Sequence, residues 1–222
     1  MVFGDSHAID LFGIIASSPG NHPFVVGITQ EGCRLHNPLP KCNFDELLAF
    51  IAKNDYFQYS IYEQAGFYLL KSPLEQGSRE LISNFPYGTP VQNISLDKLK
   101  INRVYKNLIK ASSSNNNVIW FGPRIEPHIS ETTILKKGCN FHFKLRENQH
   151  SIFDRLDKYI HGLTSKTKKI HFISQNKLLK YKFPEDFMNC NEIYWSDGDH
   201  LSEPGERRFG KRINIKKLID IK

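Results

Sequence analysis

The sequence predicts an α/β fold built on a five-stranded parallel sheet, and two observations carry that expectation. Short β-rich apolar runs alternate with longer segments of helical period along the whole chain, the order a parallel sheet with crossover helices requires. At 222 residues the chain also suits one well-buried domain, 1–222, rather than two independent ones.

The strands are expected at Val2–Phe3, Phe24–Thr29, Phe57–Tyr62, Val118–Phe121 and Ile170–Ser174, with a further short run at Glu192–Trp195. After the first strand, Ile9, Phe12 and Ile15 mark one face of a short buried helix. Asn43 with Glu46 reads as a capping box ahead of Leu47, Leu48, Phe50 and Ile51. Leu99, Val104, Leu108 and Ile109 mark a third helix, closed by the polar run 112–117 that feeds the fourth strand. Ile152, Leu156 and Ile160 mark another, ended at Gly162. Phe209, Ile213 and Leu218 mark the last, with Glu203 and Glu206 in its first turn, where negative charge suits the helix dipole. The stretch 63–95 has Gly, Pro and aromatics without a sustained period and is expected to be an insertion or lid.

Thirty Lys and Arg against 23 Asp and Glu leave a net charge of +7, which favours acidic partners at long range. The basic residues cluster at 166–182 and 207–217 with no recognition motif between them, which argues against a nucleic-acid module. No run approaches the roughly 20 apolar residues of a membrane-spanning helix. The four cysteines, Cys33, Cys42, Cys139 and Cys190, form no Cys-x-x-Cys or Cys/His knuckle, so no metal is expected. Cys33 and Cys42 flank a Pro-containing loop that a disulfide could close in an oxidising compartment; in the cytoplasm all four would be free thiols. Phe3 to Ser6 already reads as folded core, so a secretory leader is not expected in this stretch. The chain is then either cytoplasmic or, the favoured reading, an extracytoplasmic domain of a longer membrane-attached parent.

Gly4-Asp5-Ser6-His7 lies where the first strand gives way to the first helix. Gly, Asp and Ser are what a tight turn uses. The same position puts a hydroxyl above the carboxyl edge of the sheet, where open α/β folds bind ligands, and puts the Ser6 and His7 N–H groups at a helix N-terminus. A serine becomes a nucleophile only when an oriented histidine accepts its proton. Near the far end, Asp197-Gly198-Asp199-His200 supplies both parts, because an Asp three residues before a His can fold back onto the imidazole Nδ1. Asp197 has that spacing and Asp199 does not.

Gly4-Asp5-Ser6-His7-Ala8 with Asp197-x-x-His200-Leu201-Ser202 resembles the first and last blocks of the SGNH (GDSL-type) hydrolase superfamily, and within it the SGNH domains of bacterial surface-glycan O-acetyltransferases. Gly32-Cys33, followed by Pro38 and Cys42, is similar to the second block. The resemblance implies a flavodoxin-like three-layer sandwich, Ser6 as nucleophile, His200 as base, Asp197 as its orienting acid, and the Ser6 and Gly32 N–H groups as the oxyanion hole. The third block departs from the pattern: Gly122-Pro123-Arg124 stands where the superfamily has Gly-x-Asn. Arg124 is therefore expected either to face the cleft, as a charge-stabilising or substrate contact, or to pair with Glu126 on the rim. His7 is expected to line the pocket, Asp5 to support the turn, and His128 to follow the third block on the active-site edge. His22, His36, His142, His150, His161 and His171 have no evident partner in sequence.

The implied activity is acetyl transfer to a hydroxyl of an envelope polysaccharide, with hydrolysis by the same site and a non-catalytic glycan-binding module as alternatives. No bound cofactor is expected. The acetyl donor would be acetyl-CoA in the cytoplasm or a membrane acyltransferase partner outside it.

Overall fold

The computed structural model describes every residue except 21–23, 55, 72–85, 92, 113–115 and 215–222. Five strands, β1 (Val2–Gly4), β2 (Gly27–Thr29), β3 (Tyr59–Glu63), β6 (Asn117–Phe121) and β7 (Ile170–Ile173), form one sheet in the order β2-β1-β3-β6-β7, with every pair parallel. The remaining strands, β4 (Leu70–Lys71) and β5 (Ser95–Leu96), form a separate antiparallel pair.

The helices among the described residues are α1 (Ser6–Ala16), α2 (Phe44–Lys53), α3 (Lys98–Ala111), α4 (Glu131–Lys137), α5 (Gln149–Thr164), α6 (Gln175–Leu179) and α7 (Glu203–Gly210). They cover both faces of the sheet, and the period-2 alternation of strand side chains shows how. Phe3, Val118 and Trp120 point to the side packed by α2, α3 and α5, through Leu48, Ile51, Ile101, Val104, Leu108, Ile152, Leu156 and Ile160. Val2, Ile119 and Phe121 point to the side packed by α1 and α7, through Leu11, Ile14 and Phe209. Each such Leu, Ile or Phe contributes roughly 1.5–3 kcal/mol by leaving water, so the two buried layers, rather than helix propensity, hold the short strands together. The result is a flavodoxin-like three-layer sandwich whose strand order reverses between β1 and β3, the place where such sheets open a crevice at their carboxyl ends.

Local details differ from the sequence expectation for identifiable reasons. In α1 the buried face is Ala8, Leu11, Ile14 and Ile15, while Ile9 is 46% exposed. The turn before it is closely packed: Gly4 has φ +147°, and a Cβ there would stand 1.8 Å from the Glu63 carbonyl and 3.1 Å from the Ala8 Cβ. No capping box forms at α2, because Asn43 is left-handed (φ 44°) after a single 3-10 turn at Pro40–Cys42, and its side chain caps nothing. The stripe of α3 is Ile101, Val104, Leu108 and Ala111, with Leu99 exposed on the other side. Helix α5 runs through Gly162 to Thr164. Glu192–Trp195 makes only isolated bridges, Met188 with Ile193 and Trp195 with Leu201, which close a loop around residues 196–200. Glu203 and Glu206 do occupy the first turn of α7. Leu218, residues 72–85 and His22 lie outside the described residues, so the lid expectation over 63–95 applies only in part; Phe67 and Leu69 within it are fully buried core.

All four cysteines are paired, Cys33 with Cys42 and Cys139 with Cys190. The second pair was not expected from the sequence, where 51 residues separate its members. Among the described residues no helix is long and apolar enough to cross a membrane.

Candidate active site

Ser6 is the first residue of α1, directly beyond the carboxyl end of β1 at the switch point. Asp5, the N-cap, is fully buried and acts as a clasp. Its carboxylate accepts from the His7 N–H at 3.0 Å, from the Ala65 N–H after β3 at 3.1 Å, and from Arg34 Nε after β2 at 2.7 Å. The first turn of α1 and the loops after β2 and β3 are thus tied to the residue before the serine, the support role the sequence suggested.

Asp197 and His200 arrive from the other end of the chain. Asp197 Oδ1 accepts from the His200 and Asp199 N–H groups at 2.8 and 3.2 Å, which folds the loop back on itself. Gly198 permits this fold, because its φ is +89° and a Cβ would meet the Ile129 carbonyl at 2.3 Å. His200 Nδ1 then lies 2.7 Å from Asp197 Oδ2, and its Nε2 lies 2.8 Å from Ser6 Oγ. Residues 194 apart in sequence therefore form one hydrogen-bonded chain.

A second carboxylate also reaches the imidazole: Asp199 Oδ1 is 3.2 Å from His200 Nδ1. Sequence spacing passed over Asp199, since adjacent residues normally diverge; the left-handed Gly198 turns it inward. Burial pulls the His200 pKa down, but hydrogen bonds to Asp197 and Asp199 and the charge of both outweigh it and push it up to about 10. Burial opposes ionisation of both carboxylates as well, yet the bond from His200 holds Asp197 below its ordinary range, and His200 with His7 holds Asp199 well below it. Two carboxylates on one ring nitrogen stabilise the imidazolium that forms when a serine proton is taken.

Arg124 corrects the expectation. It neither faces the cleft nor pairs with Glu126 on the rim; its side chain is fully buried beneath the site. It binds Asp10 of α1, donates to Glu63 at the end of β3 at 3.4 Å, and donates to the Asp199 carbonyl at 3.0 Å. Asp10 in turn accepts from the Leu201 N–H at 3.0 Å. The pair thus grips the backbone on both sides of His200. Burial pushes the Glu63 carboxyl well above its usual range despite Arg124 and Gln175. Asp10 and Glu63 were not singled out in sequence; the one available signal was an acid among the apolar residues 8–15.

The third-block loop is held instead by Asn176 of α6, which donates to the Pro123 carbonyl at 3.1 Å and accepts from the Ile125 N–H at 2.8 Å. Gly32 sits in the turn after β2 at φ +77°, beside the Cys33–Cys42 disulfide, with open space where a Cβ would be. The Ser6 N–H, at the first position of α1, belongs to the turn that has no intrahelical acceptor.

His7 is fully buried and neither of its ring nitrogens has a hydrogen-bond partner. Its ring meets that of His200 edge-on, with centroids 5.1 Å apart. Beside it, Glu126 is buried and accepts from the Gly66 and Phe67 N–H groups at 2.6 and 3.3 Å, with His128 Nε2 at 2.9 Å from its other oxygen. Burial works against that carboxylate, but the nearby His7 and the bond from His128 keep its pKa lowered. Two groups of donor atoms here are close enough for one ion: His7, Asp199 and His200, and Glu126, His128 and Asp199, each within 4.8 Å. His36 belongs elsewhere, bonded to Gln64 at 3.2 Å between Tyr62 and the second-block loop.

No known protein family and no curated protein matches the chain in sequence. Among solved structures it is similar to a candidate platelet activating factor from Streptococcus pneumonia, at 12% identity and a TM-score of 0.48, over 98% of this chain and 81% of that one. A likeness at that level carries no weight for the chemistry of the site.

Proposed function

We propose that the chain is an SGNH-type serine acyl enzyme that transfers acetyl to a hydroxyl of a bacterial envelope glycan. The observation that carries the acyl chemistry is the continuous chain from Ser6 Oγ to His200 Nε2 at 2.8 Å and from His200 Nδ1 to Asp197 at 2.7 Å. Ser6 Oγ attacks the acyl carbonyl while its proton passes to His200, and the Ser6 and Gly32 N–H groups donate to the oxyanion. The leaving group takes that proton from His200, which leaves an acyl-serine. An acceptor hydroxyl then gives its proton to His200 and bonds to the acyl carbon; the bond to Ser6 Oγ breaks, and His200 returns the proton to Ser6. No cofactor takes part in these steps. The choice of a glycan acceptor rests on the motif resemblance, and the positive charge suits an anionic polysaccharide.

Two disulfides in a chain with no free cysteine support an oxidising, extracytoplasmic compartment. A membrane acyltransferase partner is then the acetyl donor, in preference to acetyl-CoA. Hydrolysis is a second reading with its own observation: the His200 side chain is 23% exposed, so water reaches the base. Incubation with an activated acetyl ester, with and without glycan, separates the two. Acetylated glycan is the expected product; free acetate released at one rate in both reactions, with no acetylated glycan, would replace transfer by hydrolysis. A serine-directed phosphonate that fails to label Ser6 would leave only the non-catalytic glycan-binding module.

A further inference from the structure

We propose that His7, Asp199 and His200 form a binding site for a divalent transition-metal ion of the zinc class, and that filling it takes His200 away from Ser6. The second half rests on the serine acyl reading; the first does not.

His7 is the observation that needs explaining. A fully buried imidazole neither of whose nitrogens makes a hydrogen bond has lost its hydration, and its remaining polar contact is the electrostatic one with the Asp199 carboxylate. Its Nε2 stands 3.9 Å from Asp199 Oδ2, too far for a hydrogen bond. Two ligands of one tetrahedral ion at ordinary zinc bond lengths stand about 3.3 Å apart, so the gap is close to that of two ligands awaiting an ion. The third donor is in place, because one atom from each of His7, Asp199 and His200 lies within 4.8 Å of the others. Two imidazoles and a carboxylate are ligands that Zn²⁺ accepts, with a fourth position left for water. No thiolate competes, since every cysteine is in a disulfide. The neighbouring group around His128 is not a second site: the Glu126 carboxylate already receives two backbone N–H groups and His128.

The same geometry makes the ion an inhibitor. His200 Nδ1 gives its proton to the bond with Asp197. If that nitrogen's lone pair binds the ion, the proton leaves to solvent, the Asp197 bond is lost, and the ring turns from Ser6 toward His7.

Equilibrium dialysis of the full chain against Zn²⁺ tests the site directly. About one ion per chain is expected in the wild type and in Ser6→Ala, with affinity weakened at least about 100-fold in His7→Gln, beyond what loss of an outer partner costs. Undiminished binding in a folded His7→Gln protein overturns the proposal. Nitrogen chemical shifts of the wild-type histidines give a reading independent of any variant: two imidazoles should shift on zinc addition, and unchanged shifts overturn it equally. For the inhibitory half, labelling of the wild type by a serine-directed phosphonate should slow with Zn²⁺ and recover with chelator; an unchanged rate with the ion bound overturns that half. Failure of labelling without zinc would sink the acyl reading instead, while the dialysis still decides the metal site.

Discussion

The buried guanidinium of Arg124 donates to the backbone carbonyl of Asp199 at 3.0 Å, one residue before the histidine that bonds Ser6. A cation that never meets solvent therefore sets where the imidazole stands, together with Asp10, its ion-pair partner on the serine's own helix.

Removing that cation leaves the buried Asp10 without its counter-charge. Arg124→Met should destabilise the protein by about 3–5 kcal/mol, the usual result of breaking a buried pair. Urea unfolding at pH 7 measures it. Ester turnover in the surviving folded fraction should fall through kcat more than KM, because Arg124 positions His200 without touching substrate. A loss below 1 kcal/mol with kcat intact would contradict this role.

The paired carboxylates on His200 predict an unequal mutant cycle. In a Ser-His-Asp site with one acid, an Asp→Asn change costs roughly 10⁴ in kcat. Here Asp199 at 3.2 Å backs up Asp197 at 2.7 Å. Asp197→Asn should therefore lose less than that, and Asp197→Asn with Asp199→Asn should lose more than the product of the single effects. Multiplicative effects in steady-state kinetics would show that Asp199 gives no support.

The two disulfides should separate stability from activity. Loop-closure entropy assigns about 3 kcal/mol to the bond over 9 residues at Cys33–Cys42 and about 4 kcal/mol to that over 51 residues at Cys139–Cys190. Cys139→Ser with Cys190→Ser should accordingly lower the thermal midpoint further. Cys33→Ser with Cys42→Ser should cost more activity, since that loop adjoins Gly32 and carries the Arg34 that holds Asp5. Melting curves and ester turnover on both double variants check the crossing.

His36 makes stability depend on pH. Burial lowers its pKa to about 4 from 6.5, against the bond to Gln64. Between those values the unfolded chain takes up a proton that the folded chain refuses, so stability falls as pH falls through that window and is fully present above it. The contribution is at most about 3 kcal/mol. Wild type should lose that much more than His36→Asn between pH 7 and pH 4 in urea unfolding; parallel losses would locate the acid sensitivity elsewhere.

What the sequence determined by itself is local chemistry and its order along the chain. The α/β class and the five sheet strands follow from apolar periodicity. Ser6 at the strand-to-helix turn, and Asp197 three residues before His200, follow from spacings within one turn of backbone. The tertiary structure decided whatever depends on partners far away in sequence. Arg124 reads as a rim or cleft residue until the fold brings Asp10, 114 residues distant, and Glu63, 61 residues distant, against it. Asp199 lacks the three-residue spacing to His200, yet the loop that turns at Gly198, with its positive φ, places it beside the imidazole. In each case burial selects the partner: a charge removed from water must meet its counter-charge wherever the packed layers place it, and no spacing along the chain records that place.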